Sequence, residues 1–292
     1  MNPGKIFSVT LIICVFFALA PLALADEAKV KKKVPLSVDE IARQLRRSVT
    51  PLANIENAFE FQTFTGDRPG ADNQTSFTYS FRPYMPFPLE NGNLIVFRTT
   101  IPFIVDEPVF NPARNGFDSQ GPDLGDVAFD LGYGNLGEEI GTQGLVGLFA
   151  SLPTATDDLV GSQQYRLGPA LGVGLSRKWG QVGFHAIQSW NVAGSNKEDF
   201  STTTLEYWYA YELGEGWQFG AAPTIEADWE ANSDNTWSVP IGIGISKTIK
   251  SSRISWTFAL EAHYYVVQPD TFGPEFLLEF DITPAAAFLI IE

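Results

Sequence analysis

The stretch RISWTFALEAHYYV, residues 253–266, alternates between apolar and polar side chains along its whole length. Its even positions are all apolar: Ile254, Trp256, Phe258, Leu260, Ala262, Tyr264 and Val266. Its odd positions include Arg253, Ser255, Thr257, Glu261 and His263. Because a period of two sends successive side chains to opposite faces of a β-strand, this stretch predicts a strand with one apolar and one mostly polar face.

The same alternation recurs along most of the chain. We count twelve candidate strands, which begin near Ile55, Thr75, Asn93, Leu124, Gln143, Gln164, Trp179, Ser201, Gly216, Thr236, Arg253 and Pro274. Turn-forming residues separate them, as at Asp67–Gly70 and Asn232–Asn235. The candidates at Asn93 and Gln143 alternate least, since both of their faces are apolar. An even number of strands is what a closed up-and-down barrel with both termini at one end requires.

A soluble β-sandwich also alternates, so strand length and the placement of aromatic residues decide between the two folds. Sandwich strands average about 5 to 6 residues, whereas these candidates reach about ten, the length that a tilted strand needs to cross a bilayer. Aromatic residues collect at their ends, among them Trp179, Trp190, Trp217, Trp229 and Trp237, where interfacial girdles lie. The sequence therefore predicts an all-β chain that forms a transmembrane antiparallel up-and-down β-barrel of about 12 strands.

The composition of the 292-residue chain excludes several other classes of protein. Its 19 Lys and Arg against 34 Asp and Glu give a net charge of −15, so the basic surface of a nucleic-acid-binding protein is missing and we predict no such partner. The mean hydropathy of −0.01 is far below that of a polytopic helical membrane protein. Charged residues make up only 18% of the chain, which disfavours a soluble helical enzyme.

The first 25 residues have the pattern of an export signal. Lys5 precedes an apolar run from Ile6 to Ala20, and Ala23-Leu24-Ala25 has the small-x-small form of a cleavage site. We predict a signal peptide over residues 1–25, with an uncleaved anchor helix as the alternative. The one cysteine, Cys14, lies inside it, so the mature chain would hold no thiol. Export of a barrel places the protein in the outer membrane of a Gram-negative-type bacterium.

Residues 26–50 are predicted to form a polar leader and a short amphipathic helix. Ser37 and Glu40 have the spacing of a capping box, and Ile41, Leu45 and Val49 recur every four residues, which predicts a helix over Ser37–Val49. Two interpretations remain open. The helix either lies on a membrane surface or plugs a lumen, or it is a solvated leader packed on the first strand.

Several motifs resemble a known family. They are LPTATDD at 152–158 with YRLGP at 165–169, WNVAG at 190–194, APTIEADW at 222–229, VPIGIG at 239–244, and YVVQPD at 265–270 with Gly273-Pro274. Together these resemble the outer-membrane proteins labelled MetA-pathway of phenol degradation, also called neuromedin U-like transporters, over roughly residues 51–282. The resemblance implies an outer-membrane barrel and uptake of small, often aromatic compounds. It supplies no catalytic residue.

The resemblance and the alternation together set the expected boundaries. We predict the barrel over residues 51–283 and an apolar C-terminal tail over residues 284–292. The tail departs from the family, whose members usually stop at an aromatic residue, so the signal for barrel assembly is expected inside the chain, around Phe276 to Phe280.

If the apolar positions face lipid, the polar positions face a lumen. The candidate lumen-lining residues are Glu60, Asp126, Asp130, Arg166, His185, Glu206, Glu226, Asp228, Glu261, His263 and Glu279. Carboxylates outnumber bases among them. A charged lumen is ordinary for such a barrel, so a passive interior is one interpretation, and an acidic pore that favours cations or neutral solutes is the other.

Catalysis has few candidate residues. His185 and His263 are the two histidines of the chain, and both lie on the polar face of their strands. A barrel hydrolase needs a serine and a histidine near the membrane boundary, whereas this register points both imidazoles inward. The histidines also lack metal-ligand spacing. Acidic loops at Asp118–Asp126 and Asp157-Asp158 are more often turns than calcium sites. We predict no enzyme activity, no metal and no cofactor.

Three functions are therefore weighed. The first is an outer-membrane channel or transporter for small, aromatic or hydrophobic solutes, with outer-membrane lipid and the solute as its partners. The second is a closed structural or binding barrel that transports nothing. An outer-membrane lipid hydrolase is a distant third. The pattern leaves open which solute passes, whether the N-terminal helix occludes the lumen, and how many copies assemble.

Overall fold

A computed structural model describes residues 32–138, 140–195, 199–251, 254–286 and 288–291. The predicted signal peptide, the leader up to residue 31 and Arg253 lie outside the described residues. The chain divides into two units. The smaller comprises residues 1–34 and 290–292, and its described residues belong to a two-stranded sheet of β1 (Lys32–Pro35) and β17 (Phe288–Ile291). The larger unit, Pro35–Leu289, contains the remaining elements.

The larger unit is almost entirely strand. Its strands are β2 (Asn54–Thr65), β3 (Thr75–Pro88), β4 (Asn93–Asn111), β5 (Gly116–Gln120), β6 (Asp123–Leu124), β7 (Val127–Asn135), β8 (Thr142–Leu152), β9 (Gln164–Arg177), β10 (Gly180–Gly194), β11 (Ser201–Gly214), β12 (Trp217–Ala221), β13 (Thr224–Asp228), β14 (Trp237–Ser251), β15 (Ile254–Val267) and β16 (Gly273–Ala286). The α-helix α1 spans Val38–Leu45, and a 3-10 turn spans Ala71–Asn73.

The strands close into one antiparallel barrel. From β2 to β4 and from β7 to β16, strands pair in the order of the chain; β7 pairs with β4, as do the short β5 and β6. The ring closes where β16 pairs with β2, with Glu279 opposite Glu60. Because β12 and β13 both lie between β11 and β14, they count as one interrupted strand. The described residues therefore contain twelve barrel strands, which confirms the predicted fold class. The last strand continues to Ala286, a few residues beyond its expected end.

The ninth predicted strand, expected as one piece from Gly216, is divided. β12 ends at Ala221 and β13 begins at Thr224, with Pro223 between them. Proline has no N–H for the ladder, so a strand breaks at it. The N–H of Ala222 instead donates to Glu261 Oε2 over 2.8 Å.

The two faces of the barrel wall differ as the sequence predicts. On β14 the odd-numbered isoleucines point outward, and Ile241 and Ile243 are 56% and 61% exposed. On β15 the inward Glu261 and His263 are buried, whereas the outward Leu260 and Tyr264 are exposed. The wall therefore presents apolar side chains on its outside and polar side chains in its lumen. Among the described residues, no helix is long and apolar enough to span a membrane.

The fold explains why two strands, β4 and β8, carry apolar side chains on their inward as well as their outward face. Leu94 and Val96 of β4 and Leu145 of β8 point inward, and all three are buried against Val49. The N-terminal segment thus covers the apolar part of the inner wall. This contact explains why the alternation at Asn93 and Gln143 is the least regular.

Candidate functional site

The two ends of the barrel differ in the length of their connections. At one end, here called the turn end, the connections that the structure describes in full are short: 89–92, 178–179 and 215–216. The other end, here called the loop end, has the longer connections, 112–126 and 153–163 among them. The barrel begins at Asn54 and its last strand finishes at Ala286, both at the turn end. Helix α1 contacts the wall near this end.

Helix α1 begins at an N-cap that the sequence predicts. The N–H of Glu40 donates to Ser37 Oγ over 3.1 Å, as a capping serine requires. The helix ends at Leu45 rather than at the predicted Val49, because β-branched Val49 and Thr50 and then Pro51 follow, which favour extended chain. Its register still places Ile41 in a buried apolar cluster with Leu52.

Two arginines join the helix to one side of the lumen. The Nε and Nη2 atoms of Arg43 donate to the two carboxylate oxygens of Glu212, each over 2.6 Å. Arg46 Nη2 donates to Glu261 Oε1 over 2.9 Å. Bidentate and charge-assisted pairs of this kind are the strong ones among hydrogen bonds. They fasten the helix to β11 and β15.

The residues after the helix reach the opposite side of the lumen. Val49 packs on inward side chains of β4 and β8. The N–H of Thr50 donates to the hydroxyl of Tyr84 on β3 over 3.0 Å, and Arg47 donates to the carbonyls of Leu136 and Glu138. Residues 36–52, here called the N-terminal plug, therefore cross the lumen from β15 to β4.

This placement decides between the two interpretations of the helix. Its main wall contacts are with β11, β12, β14 and β15 rather than with the first barrel strand, and its arginines pair with inward carboxylates. The helix is neither a membrane-surface helix nor a leader packed on the first strand. It plugs the lumen.

Two inward glycines make room for the plug. A Cβ added at Gly134 would lie 2.6 Å from Val49 Cγ2, and one added at Gly174 would lie 3.0 Å from Ser48 Oγ. The first distance is shorter than real Cβ contacts, because the repulsive wall of the van der Waals potential is steep, and the second is tighter than most of them. A larger residue at either position would therefore force Val49 or Ser48 of the plug to shift.

The lumen holds two charge networks beyond the plug. In the first, Arg82 donates to Glu56, Glu60 and Glu279 over 2.7, 2.6 and 3.1 Å. In the second, Arg98 Nε donates to Asp130 over 3.1 Å, and its Nη2 lies 3.0 Å from His185 Nδ1. The lumen is thus lined by ion pairs as well as by free carboxylates.

Glu261 connects the plug to the wall. Besides Arg46 and the N–H of Ala222, its Oε2 lies 3.2 Å from His263 Nε2. Burial by itself lowers the pKa of the Arg46 guanidinium, but the charge and hydrogen bond of Glu261 together with the charges of Asp281 and Glu56 outweigh burial and raise that pKa above its ordinary value. Arg46 therefore stays charged, and its contact with Glu261 is a true ion pair.

The strand register places ten of the eleven predicted site residues on the inward face. These are Glu60, Asp130, Arg166, His185, Glu206, Glu226, Asp228, Glu261, His263 and Glu279. Their contribution to a solute path stays a prediction. The eleventh, Asp126, lies between β6 and β7 and accepts hydrogen bonds from the N–H groups of Ala155 and Ser162. Its carboxylate stabilises the 153–163 connection through these hydrogen bonds.

The inward charges fall into paired and unpaired groups. Within the described ranges, Glu206, Glu226 and Asp228 have no ion-pair partner within 4.0 Å, and Glu226 is an exposed residue although it points inward. Its exposure shows that this part of the lumen has room for water. Arg166 donates to Ser151 Oγ over 3.1 Å and stacks over the ring of Phe200.

The two histidines do not form a serine–histidine pair on the outer surface. His185 faces Arg98 and His263 faces Glu261, both inside the barrel. In the part of the chain that the structure describes, neither imidazole is hydrogen-bonded to a serine hydroxyl. The arrangement gives no support to a lipid hydrolase.

Sequence reasoning missed several residues of this site. Glu56 was not among the candidates, although it follows the same alternation as Glu60 and pairs with Arg82. The partners of Arg43 and Arg46 were also missed, because nothing in the sequence says which carboxylates a separate helix meets.

Comparison with known proteins supports the fold. No protein-family profile and no curated protein matches the chain. An outer membrane channel from Pseudomonas putida F1 superposes with a TM-score of 0.55 at 13% identity, covering 89% of this chain and 99% of that one. The two chains share a fold. The resemblance to the MetA-pathway family stays a prediction.

Two further barrels superpose less well. The NanC porin has a TM-score of 0.47 at 10% identity, covering 80% of this chain and 98% of that one. The outer membrane phospholipase A from Escherichia coli has a TM-score of 0.42 at 10% identity, covering 86% of this chain and 98% of that one. Neither score is high enough to bear on function.

Proposed function

We propose that this protein is an outer-membrane channel for small solutes whose lumen is narrowed at the turn end by the N-terminal plug. One observation carries the proposal. A closed wall has exposed apolar side chains outside and charged, partly wetted side chains inside. Only a lipid environment makes such an exterior stable, because a soluble protein rarely exposes so large a contiguous apolar surface.

The ends of the barrel support an orientation. Outer-membrane barrels have short turns on the periplasmic side and longer loops outside. The turn end, with the plug, would then face the periplasm, and the loop end would face the exterior. A solute would enter between the long loops and meet the plug last.

The lumen charges favour cations and neutral solutes. Glu206 and Glu226 face the lumen without an ion-pair partner in the described residues, while Arg82, Arg98, Arg43 and Arg46 are each paired with carboxylates. Unpaired carboxylates that face a lumen attract cations and repel anions. The aromatic class of solute comes from the sequence resemblance alone and is part of the proposal.

A closed, structural barrel is the second candidate, and the plug itself favours it. Buried ion pairs at Arg43 and Arg46 hold the plug on one side, and apolar packing at Val49 holds it on the other. If these contacts are permanent, no solute passes. Conductance separates the two candidates.

The test is single-channel recording of the refolded protein in planar bilayers. We expect discrete conductance steps, and larger or more frequent steps from an Arg43→Gln/Arg46→Gln variant, because the plug is then released from Glu212 and Glu261. An Arg114→Gln/Arg177→Gln variant removes the same charge away from the plug and should match the wild type. Silence of all three proteins, with folding shown by heat-modifiable gel mobility, would reject the channel in favour of the closed barrel.

The solute class needs its own measurement. Uptake of benzylammonium and of benzoate into vesicles compares a cation and an anion of similar size and aromaticity. We expect faster uptake of the cation. Faster uptake of benzoate would contradict the proposed selectivity while leaving the channel itself intact.

A further inference from the structure

Three carboxylates from the first and last barrel strands meet inside the lumen. They are Glu56 of β2 and Glu279 and Asp281 of β16, and one oxygen from each lies within 4.8 Å of the others. The pairing of β16 with β2 is what brings them together. This seam is where the barrel closes.

The surroundings of the three carboxylates are strongly acidic. Glu60 and Glu261 lie opposite Glu279 on the two neighbouring strands. Three guanidiniums in the described residues act on this group. Arg82 donates to Glu56 and Glu279, Arg46 of the plug interacts with the charges of Glu261, Asp281 and Glu56, and Arg98, which pairs with Asp130, interacts with the charge of Glu56. Five carboxylates against three guanidiniums, one of them shared with Asp130, leave a formal excess of negative charge.

Asp281 carries a second, independent indication of a ligand. Its Oδ1 atom is inaccessible to solvent and has no hydrogen-bond partner in the described part of the chain. Arg82 donates no hydrogen bond to it, since its donors go to Glu56, Glu60 and Glu279. A buried carboxylate oxygen without a partner is costly, so this atom calls for a positive ligand that the protein itself does not supply.

We propose that Glu56, Glu279 and Asp281 bind one calcium ion at the seam of the barrel. Calcium–oxygen distances are about 2.3 to 2.6 Å, so oxygens up to about 5 Å apart share one ion, whereas magnesium, at about 2.0 to 2.1 Å, draws them within about 4.2 Å. Arg82 holds the Oε1 atoms of both glutamates, which leaves their second oxygens for the ion. Waters of the lumen complete the shell.

The ion would tie the first strand to the last. Glu56 belongs to β2 and the other two ligands to β16, so coordination adds a contact across the pairing that closes the sheet. It would also lie near Arg46, beneath the plug. This site is independent of whether the barrel conducts.

Calorimetric titration of calcium chloride into chelator-treated, refolded protein in detergent tests the proposal. We expect one calcium ion per chain, and affinity weakened about tenfold or more by Asp281→Asn and by Glu56→Gln, which remove ligands on separate strands. Asp228→Asn removes an inward aspartate elsewhere in the lumen and should leave binding unchanged. Calcium should raise the unfolding temperature of the wild type and of Asp228→Asn but not of Asp281→Asn.

Several results would overturn the site. One is absence of binding to wild-type protein that shows folded, heat-modifiable mobility. Another is an equal loss in Asp281→Asn and Asp228→Asn, which would mean diffuse attraction to an acidic lumen. Equal affinity for magnesium and calcium would contradict the choice of ion. Glu56→Gln and Asp281→Asn alter different strands. If one variant fails to fold, the calcium affinity of the other still tests the site.

Discussion

At the scale of single residues, side chains on adjacent strands of the wall face different environments, the lipid outside or the water of the lumen. Ile243 points outward from the middle of β14 and is 61% exposed. Thr224 of the adjacent β13 is exposed to the lumen and pairs with Glu206. The same substitution at the two positions should therefore have very different costs.

We expect Ile243→Arg to destabilise the barrel in lipid vesicles by about 2 to 4 kcal/mol, the cost of a guanidinium near the bilayer midplane. Thr224→Arg, the matched control, should cost much less, because lumen water hydrates the charge and Glu206 lies opposite. Denaturant titration of both variants gives the two free energies of unfolding. Equal costs would mean that the outward face does not contact lipid.

The sequence predicts whether a residue points into the lumen or outward, but not which residues it forms hydrogen bonds or ion pairs with. Alternation alone placed Glu261 inside and Leu260 outside. That Glu261 receives Arg46, His263 and the N–H of Ala222 depends on the break at Pro223 and on a helix from elsewhere in the chain. Glu279 was among the candidates, but its meeting with Glu56 and Asp281 was missed for the same reason, since the three come together only when the sheet closes.

At the scale of elements, the N-terminal plug is the feature that separates this barrel from an open pore. Its contacts reach both sides of the lumen, with ion pairs on β11 and β15 and apolar packing on β4 and β8. The sequence predicted a capped helix here but left its place open. A small amphipathic helix has the same pattern on a membrane, in solution or in a lumen, so only its partners decide.

A cysteine pair tests the position of the plug. In a chain that begins at Asp26, we expect Val49→Cys and Gly134→Cys to form a disulfide on mild oxidation. A Cβ at Gly134 would lie 2.6 and 3.2 Å from the two Cγ atoms of Val49, so the two Cβ atoms are close to the roughly 3.8 Å separation of a disulfide. The bond shows as a mobility shift in non-reducing gels.

The matched control for this pair is Val49→Cys with Gly144→Cys. Gly144 lies on the outward face of β8, where the nearest atom to an added Cβ is Asn135 Oδ1 at 3.8 Å. No crosslink is expected there. Crosslinking of the control pair, or its absence from the Gly134 pair in folded protein, would show that residue 49 is not in the lumen.

At the scale of the whole molecule, the strand count and the charge balance follow from the sequence, and the conductance does not. Each of the twelve alternating segments forms one strand of the closed barrel, because closure pairs both edges of every strand. The net charge of −15 does not by itself say whether the interior of the barrel is acidic. The structure is needed to show which inward carboxylates lack an ion-pair partner. Glu206 and Glu226 are in that group.

We expect the wild-type channel to prefer cations in a salt gradient, and a Glu206→Gln/Glu226→Gln variant to shift the reversal potential toward zero. The reason is that these two carboxylates face the lumen and, in the described residues, have no ion-pair partner within 4.0 Å. Glu230→Gln, which removes a carboxylate from an exposed connection, should leave the potential unchanged. An anion preference in the wild type would contradict the acidic lumen.

The central claim is a water-filled barrel that the N-terminal plug closes from one end. Its most direct test is the conductance of the Val49→Cys/Gly134→Cys protein carrying Arg43→Gln and Arg46→Gln, recorded in planar bilayers before and after reduction. With the disulfide intact the plug is held on β7, and we predict a small conductance. On reduction the plug has lost both the crosslink and its two arginine–glutamate ion pairs and keeps only weaker contacts, such as those of Arg47 and Thr50, and we predict that the conductance rises. The same conductance in both states, in protein whose disulfide is verified by gel mobility, would contradict the account.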